Sequence, residues 1–328
     1  MNERLLAWFQ AHPNEFVSGE EISRELNISR TAVWKHINRL RAKGFEFEAV
    51  PKLGYRLLQQ PTRLDEISLL TQLKTQTLGR QIRIVGRTES TQNEALKWAE
   101  NGAREGALVI AEEQTGGRGR RGRIWHSPPG KGIWMSMVLT PRIPLHFTPH
   151  LTLLTAVAIC RAIKRIVPVP VGIKWPNDLL IHERKVCGIL LESQAEDERL
   201  VRVIAGIGIS VNLDEQDYPD SLRHIATSLK REYGQEIDRA TLLAEICLEL
   251  EQLYKLYEEQ GFGPIRTLWE AQSVTIGREV SVATPYGDVT GTAQGLDESG
   301  ALVLLGQDGQ YRKVFSGDVH FTSEGTTF

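Results

Sequence analysis

Apolar positions near the start of the chain follow the period of an α-helix. Val33, Ile37 and Leu40 recur at the spacing of one helix face, which predicts a helix over residues 30–43. Ser18 is followed three residues later by a glutamate, the pattern of an N-terminal capping box, and this predicts an earlier helix that ends near residue 26. Only a short turn separates the two predicted helices, as in a helix-turn-helix.

Two strand-like runs, residues 45–50 and 54–58, follow the second helix and are separated by a turn. They predict the wing of a winged helix-turn-helix domain over residues 1–62. Residues 30–43 contain five lysines or arginines and no acidic residue, which favours a helix that reads the major groove of DNA. The predicted DNA-binding residues are Ser29, Arg30, Thr31, Trp34, Lys35, Asn38, Arg41 and Lys52. The alternative is a protein-interaction module of the same fold.

The remaining pattern predicts two further domains. Apolar strands near residues 107–111 and 132–139, with a long helix near 149–166, predict a mixed β-sheet flanked by helices over residues 63–272. Short strands separated by glycine-containing turns predict a small antiparallel β-barrel over residues 273–328. The expected fold class is therefore α+β and multidomain.

Composition and charge narrow the classes of function. With 328 residues the chain exceeds what one hydrophobic core usually supports, and its 41% hydrophobic and 24% charged residues are typical of a globular protein. The first ten residues lack the features of a secretory signal, and no apolar run is long enough to span a bilayer, so we expect a cytoplasmic protein without a membrane partner. The three cysteines lack the spacing of metal ligands. Because the net charge is −2, DNA must be attracted by a local basic surface.

Residues 116–123 consist of four glycines and four arginines. Glycine lets the backbone approach a ligand closely, and guanidinium groups offer planar, permanently charged forks for carboxylate and phosphate. The segment therefore predicts a loop that closes over an anionic reactant. A disordered Arg/Gly segment that binds nucleic acid is the alternative. The run is short and continues into Trp125 and a predicted strand, which favours a loop inside a fold.

Two other polar segments have roles that the pattern alone leaves open. Ser90, Thr91 and Gln92 lie at a predicted strand-to-helix junction, where capping of the helix is more frequent than ligand binding. Lys185 opens an apolar strand that contains Gly188, and its side chain is equally compatible with an edge charge and with a cation in a pocket.

Residues 174–178 have the sequence Lys-Trp-Pro-Asn-Asp. Pro176 interrupts a strand, and the turn that follows exposes Asn177 and Asp178. Asp178 is a candidate ligand for Mg²⁺, which prefers oxygen ligands. Residues 205–212 look like a dinucleotide fingerprint but lack the third glycine and the helix that it requires. Their glycines are expected inside a strand, where a flat ligand could lie against the sheet.

Three segments together resemble the biotin protein ligases of the biotin operon repressor type: the Gly/Arg loop, residues 174–178 and the run that begins at Lys185. The resemblance covers nearly the whole chain, including the N-terminal domain. It implies that the carboxylate of biotin attacks the α-phosphate of ATP to give biotinyl-5′-AMP, and that a lysine of the biotin carboxyl carrier protein then takes the biotinyl group.

The resemblance also implies roles for individual residues. Lys185, Arg118 and Arg120 would be catalytic. The biotin site would contain Ser90, Thr91, Gln92, Gln114, Arg118, Gly119, Arg120, Lys185 and Gly188. The ATP site would contain Arg120, Arg121, Arg123, Trp125, Asn177 and Asn212, with Asp178 on the Mg²⁺ ion.

The implied partners are the carrier protein and a palindromic operator, which binds a homodimer that the adenylate favours. In relatives the C-terminal domain helps to bind ATP and the acceptor. Here residues 315–319 offer no arginine for the nucleotide, and Arg312 or Lys313 is the candidate substitute. Two rival functions are a lipoate or octanoate ligase, and a ligand-sensing repressor without catalysis.

Overall fold

The computed structural model describes residues 2–12, 15–41, 45–59, 64–196 and 199–322. The chain forms two compact units, residues 1–74 and 75–328. The predicted domain boundary at residue 62 lies outside the described residues, and the one at residue 272 falls inside the second unit, so both remain predictions. None of the helices in the described ranges is long and apolar enough to cross a membrane.

The first unit confirms the predicted winged helix-turn-helix. Its elements are α1 (Asn2–Ala11), α2 (Gly19–Leu26), α3 (Arg30–Arg41), β1 (Glu46–Val50), β2 (Gly54–Gln59) and α4 (Glu66–Gln72). The strands β1 and β2 pair in antiparallel fashion and form the wing. The sequence favours a connecting helix over residues 64–78, but α4 is shorter and packs against α1 within this unit.

Local chemistry explains where the helices of the first unit begin and end. The Ser18 side chain accepts a hydrogen bond from the backbone N–H of Glu21, 3.0 Å away, and so caps α2 as predicted. Asn27 ends α2 in the left-handed conformation, with φ of 54°. On α3, Val33 and Ile37 are fully buried, because they point into the core that the helices and the wing share.

The second unit contains the remaining elements. They are β3 (Ile82–Thr88), α5 (Thr91–Glu100), β4 (Leu108–Gln114), β5 (Gly132–Leu139), α6 (Thr148–Ile166), β6 (Val171–Lys174), β7 (Asp178–Ile181), β8 (Arg184–Glu196), β9 (Arg199–Ser210), α7 (Leu229–Tyr233), α8 (Arg239–Gln260), α9 (Phe262–Glu270), β10 (Glu279–Thr284), β11 (Gly287–Leu296), β12 (Leu302–Leu305), β13 (Tyr311–Val314) and β14 (Asp318–Phe321). The helices α8 and α9 were not predicted from the sequence.

The central sheet has seven strands in the order β3-β4-β5-β9-β8-β7-β6. The strands β3 and β4 are parallel and all other neighbours are antiparallel, so the predicted mixed sheet is confirmed. Alternation along β4 turns Val109 towards α5, whereas Glu112 on the other face forms an ion pair with Arg239 of α8. Helices therefore cover both faces of the sheet.

The C-terminal strands form a five-stranded antiparallel sheet in the order β13-β12-β11-β10-β14. The predicted antiparallel domain is confirmed, but the barrel is not closed, because β13 and β14 lie at opposite edges of the sheet. The strand β14 was not predicted, and it pairs with β10. The segment before β10 joins the central sheet, where Ile173 exchanges backbone hydrogen bonds with Gln272 and Val274.

Candidate functional site

A cavity of about 460 Å³ lies at the N-terminal end of α5, between the glycines of β8 and β9 and the Gly/Arg loop. Most of the predicted site residues line it: Ser90, Thr91, Gln92, Gln114, Arg118, Gly119, Arg120, Arg123, Trp125, Asn177, Asp178, Lys185 and Gly188. These residues come from segments that are far apart in the sequence. The fold therefore brings the predicted set together around one space.

The floor of the cavity is low because glycines occupy neighbouring positions on the two strands β8 and β9. Asp178 of β7 pairs with Gly188 of β8, which pairs in turn with Gly208 of β9. A Cβ on Gly188 would lie 2.8 Å from the ring of Trp125, and a Cβ on Gly208 would overlap the same indole. The sequence predicted room for a flat ligand here. In the structure the flat group against Gly188 and Gly208 is the Trp125 side chain.

The polar side chains at the start of α5 line the cavity, and that of Ser90 also caps the helix. Ser90 is the N-cap and accepts a hydrogen bond from the N–H of Gln92. The Thr91 hydroxyl lies 3.0 Å from Oε1 of Gln114 and 2.8 Å from the hydroxyl of Ser136. The Gln92 amide lies over Gly206, where a Cβ would be 2.8 Å from it. Capping and a position in the cavity are thus compatible.

The Gly/Arg loop is an ordered part of the second unit. Backbone hydrogen bonds join Trp125 to Gly117 and Gly119 to Arg123. Arg118 donates to Asn93 and forms an ion pair of 2.8 Å with Glu192. The prediction of a loop within a fold therefore describes its backbone correctly.

Two cations of the cavity are held by side chains opposite the loop. Arg120 donates to Oδ1 of Asn177 at 3.0 Å, and burial lowers the pKa of its guanidinium although Asp318 and Asp178 oppose the shift. The Lys185 amine lies 2.7 Å from a carboxylate oxygen of Asp178 and 5.3 Å from the centre of the Trp125 ring. The sequence left open whether Lys185 is an edge charge or a cation in a pocket, and in the structure its side chain lines the pocket.

Several lining residues were not singled out as site residues from the sequence. Lys174 of β6 faces the cavity with its amine 5.5 Å from the Phe321 ring, and burial lowers its pKa. Asp318 and His320 reach the cavity from the C-terminal sheet, and Ile225 from the segment after β9. The alternation of β6, with Gly172 and Lys174 on one face, was the signal available for Lys174.

Two predicted ATP residues do not line the cavity. Asn212 uses its side-chain amide for two hydrogen bonds to the backbone of Ile237, at 2.9 and 3.0 Å, which is a structural role. Arg121 points towards the C-terminal sheet, where it pairs with Asp318 at 3.2 Å. Arg312 and Lys313 are also absent from the cavity wall, and they pair with Asp308 and Asp297.

The predicted DNA-binding residues of the first unit lie at the start of α3, along α3 and at the turn of the wing. Trp34 is 53% exposed, and Lys35 and Thr31 beside it are exposed. Lys52 lies at the turn of the wing with φ of 69°. Two basic residues are engaged within the unit: Arg30 pairs with Glu20, and Arg41 donates to the backbone of Phe47. The remaining predicted residues are Ser29, which caps α3 through the N–H of Ala32, and the half-buried Asn38.

Comparison with known proteins relates both units to one group. Residues 84–210 match the biotin/lipoate A/B protein ligase family, residues 2–56 an HTH domain, and residues 275–321 the biotin protein ligase C terminal domain. The bifunctional ligase/repressor BirA of Bacillus subtilis is 46% identical over 319 residues, which is 97% of this chain and 98% of that protein. The chain belongs to the bifunctional ligase/repressor family. The resemblance seen in the sequence is thereby confirmed.

Further relatives match at lower identity. The bifunctional ligase/repressor BirA of Escherichia coli is 32% identical and covers 94% of both chains. Among solved structures, a biotin protein ligase from Aquifex aeolicus in complex with biotin and ATP superposes with a TM-score of 0.65 at 29% identity, covering 75% of this chain and all of that one. Three quarters of this chain therefore superposes on the fold of that biotin protein ligase.

Proposed function

We propose that the second unit activates biotin with ATP to biotinyl-5′-AMP and transfers the biotinyl group to a lysine of the biotin carboxyl carrier protein. The first unit binds DNA and represses biotin genes. The observation that carries the proposal is the convergence of Arg118, Arg120 and Lys185 on one cavity in a member of the ligase/repressor family.

The reaction proceeds in two balanced steps. In the first, a carboxylate oxygen of biotin forms a bond to the α-phosphorus of ATP, and the bond from that phosphorus to the bridging oxygen breaks, so that pyrophosphate leaves with the electron pair. In the second, the amine of the acceptor lysine attacks the carbonyl carbon. The bond to the phosphate oxygen breaks, AMP leaves, and the nitrogen loses a proton. Both steps concentrate negative charge on oxygen atoms.

The cations of the cavity offset that charge. Lys185 would contact the reacting carboxylate and phosphate, and its ion pair with Asp178 supports this role by holding the amine at the floor of the cavity. Arg118 and Arg120 lie on the loop that borders the same space. Fixed cations in a site with little water each stabilise such charge by about 3 kcal/mol. The loop also separates the mixed anhydride from water.

The residues present fit a magnesium ion that is shared with the nucleotide. Within the described ranges no group of three or more metal-ligating side chains exists, so the protein alone does not form a magnesium cage. Mg²⁺ commonly uses one or two carboxylates together with substrate phosphates. Asp178 would supply one carboxylate oxygen, and the ion would neutralise phosphate charge when bound.

The decisive experiment uses the purified full chain with labelled biotin, Mg-ATP and a carrier domain. We expect covalent label on the carrier, and pyrophosphate release that depends on biotin. A parallel reaction with lipoate tests the rival ligase, because pyrophosphate release with lipoate and not with biotin would contradict the proposal. Binding of biotin without any turnover would instead support a sensing protein that lacks catalysis.

DNA binding would require two copies of the chain. One winged helix contacts few phosphates, and specific repression usually uses a dimer on two half-sites. We therefore propose that the adenylate-bound form is a homodimer on a palindromic operator. Sedimentation of the protein with and without biotin and ATP tests this, since an unchanged monomer in both conditions would exclude it. ATP, the carrier protein and DNA occur together in the cytoplasm, which is the proposed location.

A further inference from the structure

The first carboxylate of β14 holds two arginines of the Gly/Arg loop. Asp318 forms an ion pair of 3.2 Å with Arg121 and a second ion pair with Arg123. Its side chain is only 17% exposed, whereas the side chain of Arg123 is 64% exposed. Asp318 is thus the fixed partner, and the arginines reach across to it from a loop that lies almost 200 residues earlier in the sequence.

Further hydrogen bonds join the same two segments. Arg121 donates to the backbone oxygen of Ala283 at 3.3 Å, and Arg120 donates to the backbone oxygen of Gly317 at 3.3 Å. Three successive cationic side chains of the loop, Arg120, Arg121 and Arg123, therefore end on the C-terminal sheet. No other part of the described second unit contacts all three in this way.

The backbone of the loop needs such support. Arg121 has φ of 54°, which is the left-handed region, and Gly122 follows with φ of 72°. A residue with a side chain adopts this region at a cost, and it stays there only when its surroundings hold it. Arg121 is held by its contacts with Asp318 and Ala283, together with the backbone hydrogen bond from the N–H of Arg123 to the carbonyl oxygen of Arg120.

Electrostatics favours the same arrangement. Four arginines within a few residues repel one another, and a single carboxylate between two of them reduces the repulsion. Burial alone would raise the pKa of Asp318, but Arg123, Arg121 and Arg120 lower it, and the net shift is downwards. The carboxylate is therefore ionised at neutral pH.

We infer that Asp318 is a positioning residue: by fixing Arg121 and Arg123 it holds the Gly/Arg loop over the cavity and so keeps the adenylate from leaving. This inference rests on the proposed function. It gives the C-terminal sheet a role in the reaction through a carboxylate, whereas an arginine or lysine that contacts ATP was expected from the sequence.

The test compares Asp318→Asn, which removes the charge and keeps the shape, with Asp318→Glu and with a matched control. The control is Asp308→Asn, because Asp308 forms an exposed ion pair with Arg312 on the same sheet and does not line the cavity. Two quantities are measured: the KM values for ATP and biotin in pyrophosphate release, and the rate at which preformed biotinyl-5′-AMP is lost without acceptor.

We expect Asp318→Asn to raise both KM values and to speed the loss of adenylate by about tenfold, because the loop closes less often. Asp318→Glu keeps the negative charge and therefore retains most of the wild-type KM values and adenylate retention. Asp308→Asn behaves like the wild type. Arg121→Gln, which breaks one of the two pairs of Asp318 from the other side, gives a leak in the same direction. The double variant Asp318→Asn/Arg121→Gln then leaks less than the sum of the two single effects, because both changes remove the same Asp318–Arg121 pair.

Three outcomes would overturn the inference: wild-type retention of adenylate in Asp318→Asn, equal effects in Asp308→Asn, or fully additive effects in the double variant. Should Asp318→Asn fail to fold, Arg121→Gln alone decides by the same measurement. A wild-type protein that forms no adenylate would refute the proposed function and would be recognised before any variant is compared.

Discussion

The indole of Trp125 lies directly on Gly208, so closely that any side chain at position 208 would overlap the ring. The same ring lies within reach of Lys185, whose amine is 5.3 Å from its centre. Trp125 also makes an edge-to-face contact with Trp134, with ring centres 6.5 Å apart. The glycines of β8 and β9 therefore determine how closely Trp125, which follows the Gly/Arg loop, approaches the sheet.

Replacement of Gly208 by alanine should displace Trp125 and with it the end of the loop. We expect KM for ATP to rise roughly 10- to 100-fold, because small displacements of substrate-positioning groups have effects of this size. Gly86→Ala is the matched control: Gly86 also lies in a strand of the central sheet, but a Cβ there would meet nothing within 4 Å. Equal KM values in the two variants, measured by pyrophosphate release, would contradict the role assigned to the Trp125 contact.

The site could be predicted from the sequence where its chemistry is local. The glycines and arginines of residues 116–123 indicate an anion-binding loop because both residue types stand in one short run. The neighbour of the β9 glycines could not be predicted in this way. A small residue shows that something approaches closely, but the pattern does not distinguish a ligand from the side chain of Trp125.

Contacts between segments that are distant in the sequence could not be predicted either, because the local pattern does not show which segments meet. Nothing local marks Asp318 as the partner of Arg121 and Arg123, because the pairing depends on how the C-terminal sheet meets the central one. The helix α8 is a different case, because Leu243, Leu250 and Tyr257 repeat at helical spacing and are buried, so its pattern is present in the sequence. That pattern does not show that Glu249, fully buried on the same helix, pairs with Arg161 and Arg165 of α6.

Substitution of Arg120 by glycine should make the ligase less selective. Arg120 donates to Asn177 and to the backbone of Gly317, so the change breaks contacts on both sides of the cavity. We expect faster escape of biotinyl-5′-AMP, by about tenfold or more, and biotin on lysines of bystander proteins. Arg120→Lys keeps the charge without the planar fork, so its rate of adenylate escape should lie between those of the wild type and Arg120→Gly. Mass spectrometry of a mixture of carrier domain and serum albumin measures the effect, and unchanged acceptor selectivity in Arg120→Gly would contradict it.

Substitution of Lys35 by alanine should weaken DNA binding without affecting the ligase. Lys35 is exposed on α3 beside Trp34, and loss of one phosphate contact lowers affinity about equally for all sequences. We expect the slope of log affinity against log salt to decrease by about 1. The control is Arg24→Ala on α2, which removes an exposed cation that lies close to Glu25. Fluorescence anisotropy with a promoter fragment of the biotin genes measures both, and an unchanged salt slope in Lys35→Ala would exclude the contact.

His150 should make the stability of the second unit depend on pH. It is 3% exposed, its Nε2 lies 2.9 Å from the carbonyl oxygen of Glu298, and its Nδ1 lies 3.0 Å from the hydroxyl of Tyr257. Since a carbonyl only accepts, Nε2 carries the proton and Nδ1 accepts from Tyr257, whose pKa burial raises to about 12. The ring is thus neutral in the folded protein, where burial lowers its pKa although the bond to Glu298 opposes the shift.

The sign of the pH dependence follows from this neutral state. Above the ordinary histidine pKa of 6.5 neither the folded nor the unfolded chain binds the proton at this position, so its full contribution to stability is present. As the pH falls below 6.5 the unfolded chain takes up a proton that the folded one does not. The free energy of unfolding therefore decreases, by at most about 1.4 kcal/mol per pH unit for one group. The decrease ends where the folded protein also becomes protonated. Urea denaturation between pH 8 and pH 5, values that bracket that pKa roughly, should show this slope in the wild type and a shallower one in His150→Gln. Parallel curves for the two proteins would mean that other groups cause the loss of stability in acid.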